Sequence, residues 1–264
     1  GFKVYLGGRL GDGSQLNTPD DAAIAAAITQ VAAQPLESGT REPMAKTEVE
    51  VRPVAEVIQR YCSAVVGAMK PRGGNLPFVY TAVHGVGEQP FKELLSDAGF
   101  SGMIPVAEQN TPDGTFPTAP RPNPEVPGVL DLAFATAERH GVNVVIGHDP
   151  EADRCAVALR QPDGQLRTRI GDELGMLLAG WLLETGRVTD GTLALSLVSH
   201  SALEALGSGH GLDTVRTLTG FKWIAAVPEL AFGYEEAIGY CLYPNIVRDK
   251  DGLSAALGVV EAMH

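Results

Sequence analysis

The chain has 264 residues, enough for one large or two ordinary domains, and its 44% hydrophobic and 20% charged residues are a globular composition. A formal charge of −12 argues against non-specific binding to nucleic acid or to an anionic membrane, but allows a phosphorylated ligand held by a local basic cluster or a bound cation. No apolar run approaches the roughly 18 residues that span a bilayer, and no signal peptide is visible, so a cytoplasmic protein is the default.

In chain order, Phe2 to Leu6 reads as a short strand before a glycine-rich turn at Gly7, Gly8, Gly11 and Gly13. An alanine-rich helix follows from Asp20 to Ala33, with Thr18 as cap candidate, Pro19 in the first turn and two acids facing the dipole. Residues 35–50 are polar and carry Pro35, Gly39 and Pro43, which reads as a linker. Val54, Val57, Ile58, Tyr61 and Val65 then recur at helical spacing. Strands are expected at Leu76–Tyr80, Met103–Val106 and Val142–Ile146, with helices around Phe91–Leu95 and Leu130–Ala137. Between them, six prolines from Pro112 to Pro127 mark residues 110–128 as loop.

The strand–helix order repeats after residue 165: strand Leu166–Ile170, helix from Gly171 to Leu182, strand Thr192–Val198, helix Ser201–Leu206 and strand Thr214–Leu218. Such alternation predicts an α/β protein. Two tandem α/β domains with mixed, mainly parallel sheets are expected, spanning 51–170 and 171–264, with 1–50 the remnant of a preceding α/β domain and a linker. A single continuous doubly wound domain is the alternative. The Gly-Phe-Lys start and a helical pattern running to His264 suggest part of a longer protein. Cys62, Cys155 and Cys241 are odd in number and lack CxxC spacing, so they read as small buried apolar residues rather than disulfide or zinc partners.

Chemistry concentrates in Gly147-His148-Asp149-Pro150-Glu151-Ala152-Asp153-Arg154. Three carboxylates at alternate positions follow an apolar strand, and in a loop wrapped around a point they converge on a hard cation such as Mg²⁺. The carboxyl end of a parallel strand is where α/β sheets bind ligands. Arg154 adds a rigid fork suited to phosphate. A solvated acidic turn is the bland alternative. Glu235 and Glu236, between Gly233 and Gly239, can accept from sugar hydroxyls or can simply face solvent. Thr219-Gly220-Phe221-Lys222-Trp223-Ile224 and Arg248-Asp249-Lys250-Asp251-Gly252 read as turns that offer Lys222, Arg248 and Lys250 as local positive charge. His84, in Thr-Ala-Val-His-Gly-Val-Gly after a strand, is placed either for function or for packing. His140, His148, His200, His210 and His264 show no metal-ligand pairing. Gly85 and Gly87 lack the full dinucleotide fingerprint.

Six motifs in order resemble the alpha-D-phosphohexomutases, the phosphomannomutase/phosphoglucomutase family. Asp149-Pro150-Glu151-Ala152-Asp153-Arg154 is similar to their D-P-D-x-D-R magnesium loop, and Tyr234-Glu235-Glu236-Ala237 to their G-E-x-S sugar loop. Thr219–Lys222, Thr81–Gly87, Gly171–Gly175 and Lys250–Gly252 match further family turns. The resemblance implies a mutase that moves phosphate between O1 and O6 of a hexose through a phosphoserine enzyme and a hexose 1,6-bisphosphate. Its partners would be mannose or glucose 1- and 6-phosphates and the 1,6-bisphosphate. Mg²⁺ would be held by Asp149, Glu151 and Asp153. Arg154 and His84 would be catalytic; Gly220, Lys222, Glu235, Glu236 and Lys250 would bind substrate. Three departures stand out. Glu151 replaces an aspartate, Ala237 replaces a hydroxyl residue, and no phosphoserine loop or fourth domain is visible. The chain is therefore expected to be inactive alone. A metal-dependent sugar phosphatase and a non-catalytic sugar-phosphate or metal-binding module are the other readings.

Overall fold

The computed structural model describes residues 3–7, 13–33 and 51–264; the stretch expected as a linker lies outside them. At the start, the expected strand is reduced to one bridge, Tyr5 opposite Gln15, flanked by bonds from the Leu6 amide to Ser14 and from the Leu16 amide to Val4. No third strand among the described residues extends this short ladder. Helix α1 (Asp20–Ala32) begins after Pro19, which is itself the N-cap, so Thr18 does not cap it. Ile24, Ile28 and Val31 lie exposed along it, and none of its residues is buried.

The next elements are α2 (Val54–Met69), β1 (Gly74–Thr81), α3 (Glu88–Asp97), β2 (Phe100–Pro105), α4 (Asp131–His140), β3 (Val144–His148), β4 (Cys155–Arg160) and β5 (Leu166–Thr168). They build a five-stranded sheet in the order β2-β1-β3-β4-β5. The pairs β1–β2 and β1–β3 are parallel, and β3–β4 and β4–β5 are antiparallel. Every residue of β3 is buried, as expected of a strand covered on both faces. The apolar run after Arg154, unassigned from the sequence, is β4. Leu166–Thr168 does not open a second repeat; it pairs back onto β4 across a tight turn, closed by the Gln161 amide on the Gln165 carbonyl, and so is the edge of the first sheet.

The second unit comprises α5 (Gly171–Glu184), β6 (Thr192–Ser196), α6 (Ala202–Gly209), β7 (Asp213–Thr217), α7 (Phe221–Ala225), β8 (Leu230–Glu235), β9 (Gly239–Cys241) and α8 (Gly252–Met263). Its sheet order is β7-β6-β8-β9, with β6 parallel to both neighbours and β9 antiparallel to β8. The turn expected over 219–224 holds the one-turn helix α7, too short to leave a periodic signal.

Two sheets make two α/β units, but they share one core. Phe78, Tyr80 and Phe91 of the first unit cluster with Leu182, Phe232 and Leu257 of the second. Helix α8 joins them, packing against α3, β3 and β4 on one side and α5 and β9 on the other. The three cysteines are free and buried, as their apolar reading requires. Among the described residues no helix is long and apolar enough to cross a membrane.

Candidate active site at the seam between the units

The acidic loop leaves the carboxyl end of β3. Its turn is closed from within: the Ala152 amide donates to the Asp149 carbonyl at 3.0 Å, and the Arg154 amide to Asp149 Oδ1 at 3.1 Å. The turn after β1 presses against it. The Val86 amide donates to the Pro150 carbonyl at 2.9 Å, and a Cβ on Gly85 would lie 2.3 Å from Pro150 Cα, so only glycine fits there. From the other side, the loop's exit bonds to the β8–β9 hairpin, with Arg154 bridging Gly239 and the Cys155 amide donating to the Ile238 carbonyl. The start of α8 closes the third side; a Cβ on Gly252 would sit 2.4 Å from the Arg154 carbonyl oxygen.

Carboxylate oxygens of Asp149, Glu151 and Asp153 all lie within 4.8 Å of one another, Asp149 buried, Asp153 half-buried and Glu151 exposed. An octahedral Mg²⁺ wants oxygens about 2.1 Å from the ion, hence about 3–4 Å apart. The set fits a hard divalent cation after a small closure, and Glu151 takes the solvent side, where its extra methylene has room. The electrostatics point the same way. Burial, then the neighbouring Asp153 charge, pushes the Asp149 carboxyl up to about 7. For Asp153 burial acts upward too, but the hydrogen bond from Lys3 and the charge of Lys250 outweigh it and hold the group low. One loop thus carries a proton-hungry carboxyl beside an ionised one, which a bound cation would relieve.

Basic groups converge on the same loop. Lys3 Nζ donates to Asp153 Oδ2 at 2.6 Å and lies 3.7 Å from Asp249. Lys250 Nζ lies 3.4 Å from Asp153 Oδ2, and Arg154 Nε 3.8 Å from Asp149 Oδ2. Glu235, buried at the end of β8, has its carboxyl raised chiefly by burial, with Lys250 and Arg154 opposing. Asp149, Glu151, Asp153, Arg154, Glu235 and Lys250 therefore gather at one seam.

The other expected residues are engaged elsewhere. Glu236 turns away from Glu235 and accepts from Ser196 Oγ at 2.7 Å and Ser199 Oγ at 3.1 Å. His84, with a left-handed φ of 59°, pairs its Nε2 with Thr118 Oγ1 at 2.8 Å and so anchors the proline-rich loop. Gly220 is the N-cap of α7, and Lys222 lies 3.6 Å from Asp21 of α1 and above the Trp223 ring. Arg248 is not a spare charge: it donates to the carbonyls of Ala225 and Val227 at the end of α7. Sequence reasoning missed Lys3, Tyr5, Asp249 and Asp251. Tyr5 donates to Asp249 at 2.5 Å, and Tyr61 to Asp251 at 2.8 Å. No local pattern marks Lys3, which is 150 residues from the carboxylate it meets.

Comparison with known proteins bears on this arrangement. Residues 59–164 match the family model described as phosphoglucomutase/phosphomannomutase, alpha/beta/alpha domain II, and residues 170–264 match domain III. A "Probable phosphomannomutase" of Haemophilus influenzae is 41% identical over 257 residues, covering 97% of this chain and 52% of that protein. A "Phosphopentomutase" of Mus musculus is 33% identical over 282 residues, covering 97% and 44%. The chain thus spans about half the length of the curated relatives it matches. A solved phosphoglucomutase/phosphomannomutase family protein from Burkholderia thailandensis shares the fold, with a TM-score of 0.66 and 20% identity over 78% of this chain and 43% of that one.

Proposed function

Because this chain belongs to the phosphoglucomutase/phosphomannomutase family, we propose that it is the metal-binding and sugar-recognising part of a phosphosugar mutase. The reaction is transfer of phosphate between O1 and O6 of a hexose through a phosphoserine enzyme and a 1,6-bisphosphate intermediate, with mannose or glucose phosphates as substrates. The carrying observation is the seam itself: three convergent carboxylates from one unit face Glu235 and Lys250 from the other.

Asp149, Glu151 and Asp153 would hold Mg²⁺, and the ion would supply positive charge to the phosphoryl group. Arg154, partly exposed beside them, supports the phosphate as a fork donor. Lys250, mostly sequestered, places a positive charge between the acidic loop and the sugar side. Glu235 accepts from sugar hydroxyls; its burial disfavours the bare anion, so a hydroxyl or a cation that pairs with it is favoured. Gly220 and Lys222 would meet substrate from the α7 turn, whose Phe221 ring centroid lies 5.9 Å from Lys250 Nζ, while Glu236 orients the Ser196–Ser199 turn. His84 holds the 110–128 loop beside the acidic turn, which makes its part in catalysis one of support.

Titration of Mg²⁺ into the chain and into Asp149→Ala tests the metal site. Parent binding that the variant loses, by more than the roughly 10- to 100-fold typical of a supporting partner, is the expected result; identical isotherms would remove the loop from the proposal. Phosphosugar binding tests the other half: glucose 1,6-bisphosphate should bind with Mg²⁺ present and weaken with Glu235→Gln, and should outcompete ribose 1-phosphate. The chain alone should show no mutase turnover.

A further inference from the structure

His148 is a fully buried imidazole immediately before the first metal-loop carboxylate. Its Nε2 lies 3.0 Å from the Gly252 carbonyl oxygen, which can only accept, so Nε2 carries the proton. Nδ1 is then an acceptor, and Tyr80 Oη, 2.8 Å away, donates to it. The ring is wedged edge-on between Tyr80 and Phe91, with both centroids 5.3 Å away. Burial also disfavours the charged form of the ring.

The three linked groups belong to three walls of the site. Tyr80 is on β1, His148 ends β3, and Gly252 begins α8 two residues after Lys250. Gly252 is also a point where α8 closely approaches the acidic loop, its missing Cβ leaving room for the Arg154 and Ala152 carbonyls. Lys250 Nζ contacts Asp153 3.4 Å away, and its backbone belongs to the turn that His148 pins.

We propose that His148 is a positioning residue that sets the register between the acidic loop and the Lys250 turn, so that the cation and the substrate phosphate are held in one frame. The proposal rests on the reading of Asp149, Glu151 and Asp153 as metal ligands and Lys250 as a substrate contact. Its selectivity lies in the Nε2–H donor: a residue that fills the space without donating to Gly252 leaves a buried carbonyl short of a partner and frees the turn.

Three variants separate positioning from mere packing. His148→Phe fills the pocket without polar atoms, His148→Gln retains a donor at nearly the reach of Nε2, and Tyr80→Phe removes the bond that fixes the tautomer. Amide hydrogen exchange without metal reads the register directly. His148→Phe should raise exchange by tenfold or more at both 149–154 and 250–252, while amides of β6 keep parent protection. Mg²⁺ titration should then show affinity about tenfold weaker in His148→Phe, recovery to within about threefold in His148→Gln, and an intermediate value in Tyr80→Phe. A uniform rise in exchange with unchanged Mg²⁺ affinity would overturn the proposal, as would parent-like behaviour of His148→Phe in both measurements. Should His148→Phe fail to fold, Tyr80→Phe decides by the same two readouts. If the parent binds no Mg²⁺, the metal reading falls, and the exchange measurement still decides whether His148 sets the register.

Discussion

Asp149 shows how much one buried carboxyl shapes the behaviour of the site. Its folded form titrates near 7, above its ordinary value of 3.8, because burial and the Asp153 charge penalise the anion. Between about 4 and about 7 the folded chain therefore binds more protons at this group than the unfolded chain, so this contribution to stability falls as pH rises through that window. Two outcomes follow for the metal-free chain. Denaturant midpoints should decline from pH 4.5 to 7.5, and Asp149→Asn should flatten that decline and be the more stable protein at pH 7.5. On the proposed metal reading the same variant should bind Mg²⁺ more weakly, because a neutral amide replaces an anionic oxygen ligand, and the parent's affinity should rise with pH as the Asp149 proton is displaced. Stability and metal binding thus pull in opposite directions at one residue. Gly85 makes a second prediction at this scale. A methyl group there meets Pro150 backbone, which cannot swing aside, so Gly85→Ala should cost about 1–3 kcal/mol in urea unfolding and displace the acidic loop.

Helix α8 is the element on which the site depends most. Its first turn is capped by Asp251, which accepts from the Ser254 amide and from Tyr61 of α2, and its last turn carries the fully buried Glu261. Glu261 accepts from the Arg72 amide at 3.0 Å and Arg72 Nε at 2.9 Å, and from Arg187 at 3.3 Å. Arg72 precedes β1 and Arg187 follows α5, so one carboxylate clamps both units to the helix whose start meets the acidic loop. Charge-assisted hydrogen bonds of this kind contribute about 1.5–3 kcal/mol each. Glu261→Gln should lower unfolding stability by about 2 kcal/mol and raise amide exchange along α8, while Arg72→Ala should cost less because Arg72 is largely exposed.

At the scale of the whole molecule, two sheets share a single core, and this bears on how the protein unfolds. Leu257 is fully buried in the cluster that also holds Phe78 of one sheet and Phe232 of the other. Leu257→Ala should cost about 2–5 kcal/mol. Because both units lose contacts, calorimetry should show one transition moving to lower temperature, rather than one unit melting ahead of the other. Two separable transitions would show the units to be independent.

The acidic loop is legible in the sequence, since three carboxylates at alternate positions after an apolar strand are a local pattern. So are α2, β1 and β3, whose periodicity or unbroken apolar run is written within a short length of chain. Residues 166–168 are misplaced by sequence reasoning because a three-residue edge strand has no period of its own; its partner decides what it is. Short α7 escapes for the same reason. Glu235 and Glu236 look equivalent in the sequence, and only the packing at the end of β8, with Ser196 and Ser199 on one side and Lys250 on the other, sends them to different tasks. His148 carries no motif of its own, because its meaning lies in Tyr80 and Gly252, 68 and 104 residues away. What the sequence by itself determined was the family, the α/β alternation and the clustering of three carboxylates in one loop, all properties of short stretches. What only the tertiary structure decided was which distant groups complete that site, since side-chain partners are chosen by how strand ends and helix starts pack, not by their order along the chain.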